Sequence, residues 1–202
     1  MKLHHNPASP YVRKVRIALA ETGLADRVEL LPAAGHPTDP GTMPIGVNPL
    51  GKLPTLERED GPALYDSRVI CRYVDDRAGG KLYPAAPKLW ETLTLEATAD
   101  GILDAAVLMV YEARSRPEEK RDADWLEGQW AKIARAIDML ESRWMAYLRG
   151  PFDMAHAAVA CALGYLDFRH STRDWRSGHP ELTAWYDAIL ARDSVAATMP
   201  EG

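Results

Sequence analysis

Two short runs of this 202-residue chain hold the residues best suited to chemistry. The first is Asn48-Pro49-Leu50-Gly51-Lys52-Leu53-Pro54-Thr55-Leu56, which reads as a turn entering a short strand through a proline. The second is Leu64-Tyr65-Asp66-Ser67-Arg68-Val69-Ile70, a strand that ends at an Asp-Ser pair opening a helix. Backbone held extended before Pro54 presents N–H and C=O groups, and the first N–H groups of a helix hold an anion. Together they make a cradle for a small peptide that carries carboxylates, which points to a peptide-like thiol cofactor. A plainer reading stands beside each: Asp66 and Ser67 as helix caps, Pro54 as a trans proline at a strand edge. Ser9 is a third candidate. Ser9-Pro10 opens a helix, with Ser suited to the N-cap and Pro to the first helical position. Its hydroxyl is either a cap only or also a donor to an anion at the positive end of that helix.

These motifs need elements to position them. Lys2 to His5 reads as a strand, Asn6 to Pro10 as a turn, and the helix after it runs to Gly23. Val28 to Leu31 reads as a second strand, and 33–46 as an irregular loop. Leu53 to Glu57 and Ala63 to Tyr65 are strands joined around Glu59-Asp60-Gly61, where Asp-Gly is a hairpin signal. Ser67 to Ala78 is helical and stops at Gly79-Gly80. From Pro87 onward the strand signals vanish. Leu89 to Arg114, Ala123 to Leu148, Met154 to Tyr165 and Pro180 to Ala191 read as helices. In the second of these, Trp125, Trp130, Ile133, Ile137, Leu140 and Trp144 are candidate core positions. The division is therefore an α/β domain over 1–81, a linker over 82–87 and an all-helical domain over 88–202.

Composition sets the outer limits. The chain is 47% apolar and 26% charged, with a net charge of -5 and no basic block, which argues against nucleic acid or an anionic membrane as main partner. No window has the apolar length of a membrane span, and the start lacks the long apolar core of a signal peptide. Cys71 and Cys161 stand far apart in apolar helical contexts, so reduced buried thiols and a cytoplasmic location are expected. His4 and His5, adjacent on a strand, point to opposite faces and make no metal site, so no metal is expected.

The plan βαβ, loop, β-hairpin, helix, then an all-helical domain resembles the glutathione transferase superfamily. The sequence is similar to bacterial soluble glutathione transferases in Ser9-Pro10-Tyr11-Val12-Arg13-Lys14-Val15-Arg16, in Asn48 to Leu56, in Leu64 to Arg72, and in Ala158-Val159-Ala160-Cys161-Ala162-Leu163. The resemblance spans essentially the whole chain. It implies a thioredoxin-like first domain that binds glutathione, an all-α second domain, and a homodimer. The implied reaction is attack of the glutathione thiolate on a small apolar electrophile, as in detoxification. Two other readings of the same fold remain: a non-catalytic glutathione-binding or protein-interaction module, and a glutathione-dependent reductase or isomerase.

Residue by residue, the resemblance makes Ser9 the group that stabilises the thiolate, with Asn6 as the lesser candidate. The family's Tyr position corresponds to His4 or His5, and its Cys position roughly to Pro10, which argues against the reductase. Leu53, before a cis Pro54, supplies a backbone N–H and C=O to the cysteinyl part. Asp66 and Ser67 hold the γ-glutamyl end, and Lys52 or His36 the glycine carboxylate. Asp100, one turn from Asp104, would reach the glutathione amine from the partner subunit; a solvated helix face is the alternative. Tyr11, Tyr111 and Arg114 are implied to line the second substrate's pocket, against ordinary packing. Where the family has Ser or Thr followed three residues later by Asp, this chain has Asp153 and His156, and His156 is not expected to reciprocate the cap as a carboxylate would.

Overall fold

Ser9 and Pro10 do start a helix. In the computed structural model, which describes residues 1–202, α1 runs from Pro10 to Glu21, with Ser9 at the N-cap. It follows strand β1 (Lys2–His5) and precedes β2 (Glu29–Pro32). Strands β3 (Thr55–Arg58) and β4 (Gly61–Leu64) lead into α2 (Ser67–Arg77). The strands form one mixed sheet in the order β2-β1-β3-β4. β1 pairs parallel with β2, and antiparallel with β3 through Leu3↔Leu56 and His4↔Thr55. Leu3 and Leu56, facing one another across that pair, are fully buried together with Val15, Ile17, Ile70 and Val74 from the two helices. Alternating strand residues and the 3.6-residue rhythm of α1 and α2 thus feed one core.

The β3–β4 hairpin turns one residue earlier than its Asp-Gly signal suggests. Arg58 pairs with Gly61, so Glu59 and Asp60 form the turn and Gly61 opens β4. Gly61 is not among the glycines with positive φ. The turn is held from outside instead, because Asp60 accepts from Arg77 (2.9 Å) and from the Tyr73 hydroxyl (3.2 Å) on α2.

Helix α2 ends in a carboxylate clamp. Buried Asp75 accepts from the backbone N–H groups of Lys81 (2.7 Å), Leu82 (2.6 Å) and Tyr83 (3.0 Å). One side chain so satisfies the amides of the segment that leaves the domain.

The helical region begins at α3 (Lys88–Ser115) and continues with α4 (Ala123–Met139), a π-turn over Leu140–Trp144 and α5 (Met145–Leu148). Then come α6 (Met154–Arg169) and α7 (Pro180–Ile189). α3 packs on both α4 and α6. Every residue of α6 from Met154 to Leu166 is buried, as its run of alanines allows close approach on all sides. Ile133, Ile137 and Leu140 are buried as expected, but Trp125 is exposed. It lies in the first turn of α4, and the π-turn shifts the phase of the last part of this stretch. No helix is long and apolar enough to cross a membrane.

His156 does reciprocate the cap of α6. Asp153 Oδ1 accepts from the N–H groups of Ala155 (3.0 Å) and His156 (3.4 Å), and the Asp153 N–H reaches His156 Nδ1 at 3.2 Å. The same nitrogen lies 2.7 Å from Asp153 Oδ1. As an acceptor it takes the backbone N–H; protonated it donates to the carboxylate; it cannot do both at once.

The compact units are 1–85 with 193–202, and 86–192. The last ten residues, read from sequence with the helical domain, therefore belong to the first unit. A short helix, α8 (Asp193–Ala196), packs on α1. Arg13 donates to the Val195 carbonyl (3.3 Å), and the Ser194 hydroxyl bonds Glu21. No local pattern announces this, because the anchors sit on α1, far away in sequence.

Candidate functional site

Strand directions gather the candidate residues of the first unit. β1 ends at His5, and the turn Asn6–Ser9 follows it. β3 runs antiparallel to β1, so its first residue, Thr55, lies beside His4, and Leu53-Pro54 enters at the same edge. β4 runs back antiparallel to β3 and delivers Asp66-Ser67 to that edge. β2, parallel to β1, feeds the loop with His36 there too. All four segments leave one end of the sheet.

The turn before α1 is fastened by Asn6. Its Oδ1 accepts from Ala8 N–H (3.0 Å), its backbone carbonyl from Ser9 N–H (3.0 Å), and its Nδ2 donates to Ala33 O (3.4 Å). The Asn6 amide is thus engaged in shaping the turn. Ser9 Oγ accepts from Val12 N–H at 3.3 Å. That cap uses a lone pair and leaves the hydroxyl proton for donation, so capping and thiolate stabilisation are compatible. The first turn of α1 has no acidic residue to offset its positive end. Beside it, burial and then the Arg16 charge lower the His5 pKa and favour the neutral ring.

The bond between Leu53 and Pro54 is cis, as the resemblance implies. Leu53 is half-buried, Pro54 buried, and Lys52 exposed. Gly51 turns the chain at φ 57°, where a side chain would be strained. In the preceding loop, His36 N–H donates to Asp39 O (2.7 Å), and the ring Nδ1 meets Thr38 Oγ1 (2.9 Å).

At α2, Asp66 is the N-cap and Ser67 the first helical residue. Asp66 Oδ1 accepts from Arg68 N–H (3.0 Å) and Oδ2 from the Arg68 guanidinium (3.1 Å). Its side chain is 55% exposed, so an incoming ammonium can compete with Arg68 for it. Ser67 is buried and sits where helix N–H groups face outward.

The remaining candidates lie on α3, in the other unit, apart from Tyr11 on α1. Asp100 is only 3% exposed, so it does not lie on a solvated helix face; Asp104, one turn on, is on the exposed side. Tyr111 is half-buried and Arg114 exposed near the end of α3. Tyr165 of α6 is buried, and burial raises the pKa of its hydroxyl, with Arg169 and Arg114 opposing.

Family models match both parts of the chain. A glutathione S-transferase N-terminal domain model matches residues 8–77, and a C-terminal domain model matches 123–188. The uncharacterized GST-like protein YibF of Escherichia coli (strain K12) is 34% identical over 99% of this chain and 98% of its own. Glutathione S-transferase 3 of Zea mays is 29% identical over 98% of this chain and 93% of its own. Among solved structures, a glutathione transferase family member from Pseudomonas fluorescens Pf-5 with bound glutathione is 48% identical, covers 100% of this chain and 99% of its own, and superposes with a TM-score of 0.96. From its sheet topology, its proline loop and these whole-length likenesses, the chain belongs to the glutathione S-transferase family.

Proposed function

We propose that the protein is a glutathione S-transferase acting on small apolar electrophiles. The observation that carries this is the collection of Ser9, Leu53-Pro54 and Asp66-Ser67 at one end of the sheet. The glutathione bound to the Pseudomonas fluorescens relative supports the choice of cofactor. Leu53 pairs by backbone with the cysteinyl part, Ser67 takes the γ-glutamyl carboxylate, and Asp66 takes the ammonium. Lys52 or His36 meets the glycine carboxylate. Ser9 donates its hydroxyl proton to the sulfur, with Asn6 shaping the turn. A thiol near pKa ~8.5 is then more ionised at neutral pH. The sulfur lone pair attacks the electrophilic carbon, and the displaced group leaves with the bonding electrons. The enzyme supplies the thiolate and proximity; no step needs a metal. Tyr11, Tyr111 and Arg114 are proposed for the second substrate.

A homodimer is part of the reading. Along α3, Trp90 (64% exposed) and Leu108 (45% exposed) flank Thr94, Ala97 and Gly101 on one exposed, mostly uncharged stripe, which suits a second copy of the chain. Asp100 is the acid proposed to complete a neighbouring site, with Asp104 one turn on at that exposed stripe. The cytoplasm is proposed as its location, consistent with two buried thiols outside any disulfide.

The test is an ultraviolet titration of the thiolate of bound glutathione. It is expected to ionise below its free pKa, with Ser9→Ala moving it back. Binding without any such shift in the wild type supports the non-catalytic binder instead, and no binding at millimolar glutathione overturns both. Light scattering that reports a monomer at micromolar protein overturns the dimer.

A further inference from the structure

The segment before Leu53 is held by two side chains that no catalytic step uses. Asn48 and Thr55 are both buried. Asn48 Nδ2 donates to the Lys52 carbonyl (3.0 Å) and to Thr55 Oγ1 (2.9 Å), and the Thr55 hydroxyl donates to that same carbonyl (3.0 Å). Asn48 Oδ1 accepts from Leu50 N–H (3.1 Å). The main chain closes this turn without them: Asn48 N–H donates to Pro44 O (2.8 Å), and Gly51 N–H to Asn48 O (3.0 Å). Thr55 is held in β3 by its pairing with His4. Both side chains are thus free to converge on one oxygen.

That oxygen sets a direction. The Lys52–Leu53 peptide is trans, as the cis bonds lie elsewhere. In a trans peptide the C=O and the following N–H point opposite ways. Two buried donors that draw the Lys52 carbonyl inward therefore turn the Leu53 N–H outward, away from the Asn48–Thr55 pair. We propose that Asn48 and Thr55 are positioning residues for the cofactor: by gripping the Lys52 carbonyl they aim the Leu53 N–H at glutathione. The proposal rests on the reading of Leu53 as the backbone contact to the cysteinyl part. Asn48 supplies two donors and an acceptor to this arrangement, as an amide can. The Thr55 hydroxyl both accepts and donates in it. Asp at 48 loses both donors, and Val at 55 breaks the relay while keeping the strand's β-branched shape.

Calorimetric titration with glutathione and steady-state kinetics test this on the full chain. Thr55→Val is expected to weaken binding about tenfold, as for a misplaced hydrogen bond, and Asn48→Asp by a similar factor. Thr55→Ser, which keeps the hydroxyl, restores binding to within about threefold. The KM for glutathione rises while kcat at saturating glutathione stays within about twofold, because Ser9 is untouched. A loop that matters only for folding would lower the melting temperature without this split and without rescue by Ser. The clamp is overturned if folded Thr55→Val or Asn48→Asp binds like the wild type, or if Thr55→Ser is as weak as Thr55→Val. Two variants at different positions leave one readable should the other fail to fold. A wild type that does not bind glutathione overturns the underlying reading itself, and the clamp with it.

Discussion

Three helices of this protein are capped by an aspartate, Asp66 at α2, Asp122 at α4 and Asp153 at α6, and the first and last of these beginnings differ in what surrounds them. At α2, Asp66 is 55% exposed, caps Arg68 N–H, and shares its second oxygen with an exposed guanidinium. At α6, the Asp153 side chain is 5% exposed, and every approach to it is taken. It receives two backbone N–H groups and hydrogen bonds from the Tyr147 hydroxyl and the Thr92 hydroxyl (3.3 Å), with His156 at 2.7 Å and Lys88 Nζ at 3.9 Å. The rings of Tyr147, Phe152 and Trp185 stand around His156. A cap whose partners are all internal stabilises the fold. A cap left open, with Ser67 beside it, has N–H groups and a carboxylate to offer a ligand. Under the proposed function, occupancy and not residue type separates the closed start of α6 from the start of α2.

The largest effect expected from breaking this contrast is at Asp153. Asp153→Ala removes the cap and strands Tyr147, Thr92 and His156, at a cost of about 3 kcal/mol in urea unfolding followed by circular dichroism. Asp66→Ala loses a cap and one exposed ion pair of little worth, so about 1 kcal/mol is expected. Equal losses would erase the distinction between the two starts.

Acid sharpens it further. Burial pushes the Asp153 carboxyl up, but hydrogen bonds from His156 and Tyr147 and the His156 charge outweigh it, and its pKa lies below the ordinary carboxylate value. Its folded-state pKa is therefore depressed. The stability it contributes is present above the unfolded carboxylate pKa near ~3.9 and is lost as pH falls through the folded value. Unfolding midpoints measured from neutral pH downward are expected to drop across that acid window. In Asp153→Asn the part due to this group disappears; an unchanged acid slope in that variant would assign the drop to other carboxylates.

At the open start the effect moves from stability to binding. Ser67→Ala is expected to weaken glutathione binding by about 2 kcal/mol, roughly thirtyfold by calorimetry, the range for a hydrogen bond to a charged group. Its melting curve is expected to shift by less than about 0.5 kcal/mol of stability. A stability loss larger than the binding loss would make α2 resemble α6. The smallest effect is at Arg68. Arg68→Gln removes an exposed ion pair, so a change under about 0.5 kcal/mol in unfolding is expected. A larger loss would mean that Asp66 is closed off by its partner after all.

Much of the architecture was legible from local chemistry. Ser9-Pro10, Asp66-Ser67 and Asp153 mark helix starts because a capping side chain reaches N–H groups only two or three residues ahead. The long periodic stretches announced α3 and α4, while the cis bond before Pro54 was implied by the family resemblance and not by local chemistry. The errors share a cause. The hairpin turn slipped by one residue because α2 holds it through Arg77 and Tyr73. Residues 193–202 changed unit because their anchors, Arg13 and Glu21, are on α1.

What the sequence determined by itself is thus the set of helix starts, the run of elements and the proline loop, all governed by contacts within a few residues. What only the tertiary structure decided is which of those groups remain available. Thr92 closes over Asp153 from 61 positions away, whereas Asp66 meets only Arg68, two positions on. Desolvation and hydrogen-bond occupancy depend on groups brought together by the whole chain, and no local pattern encodes them.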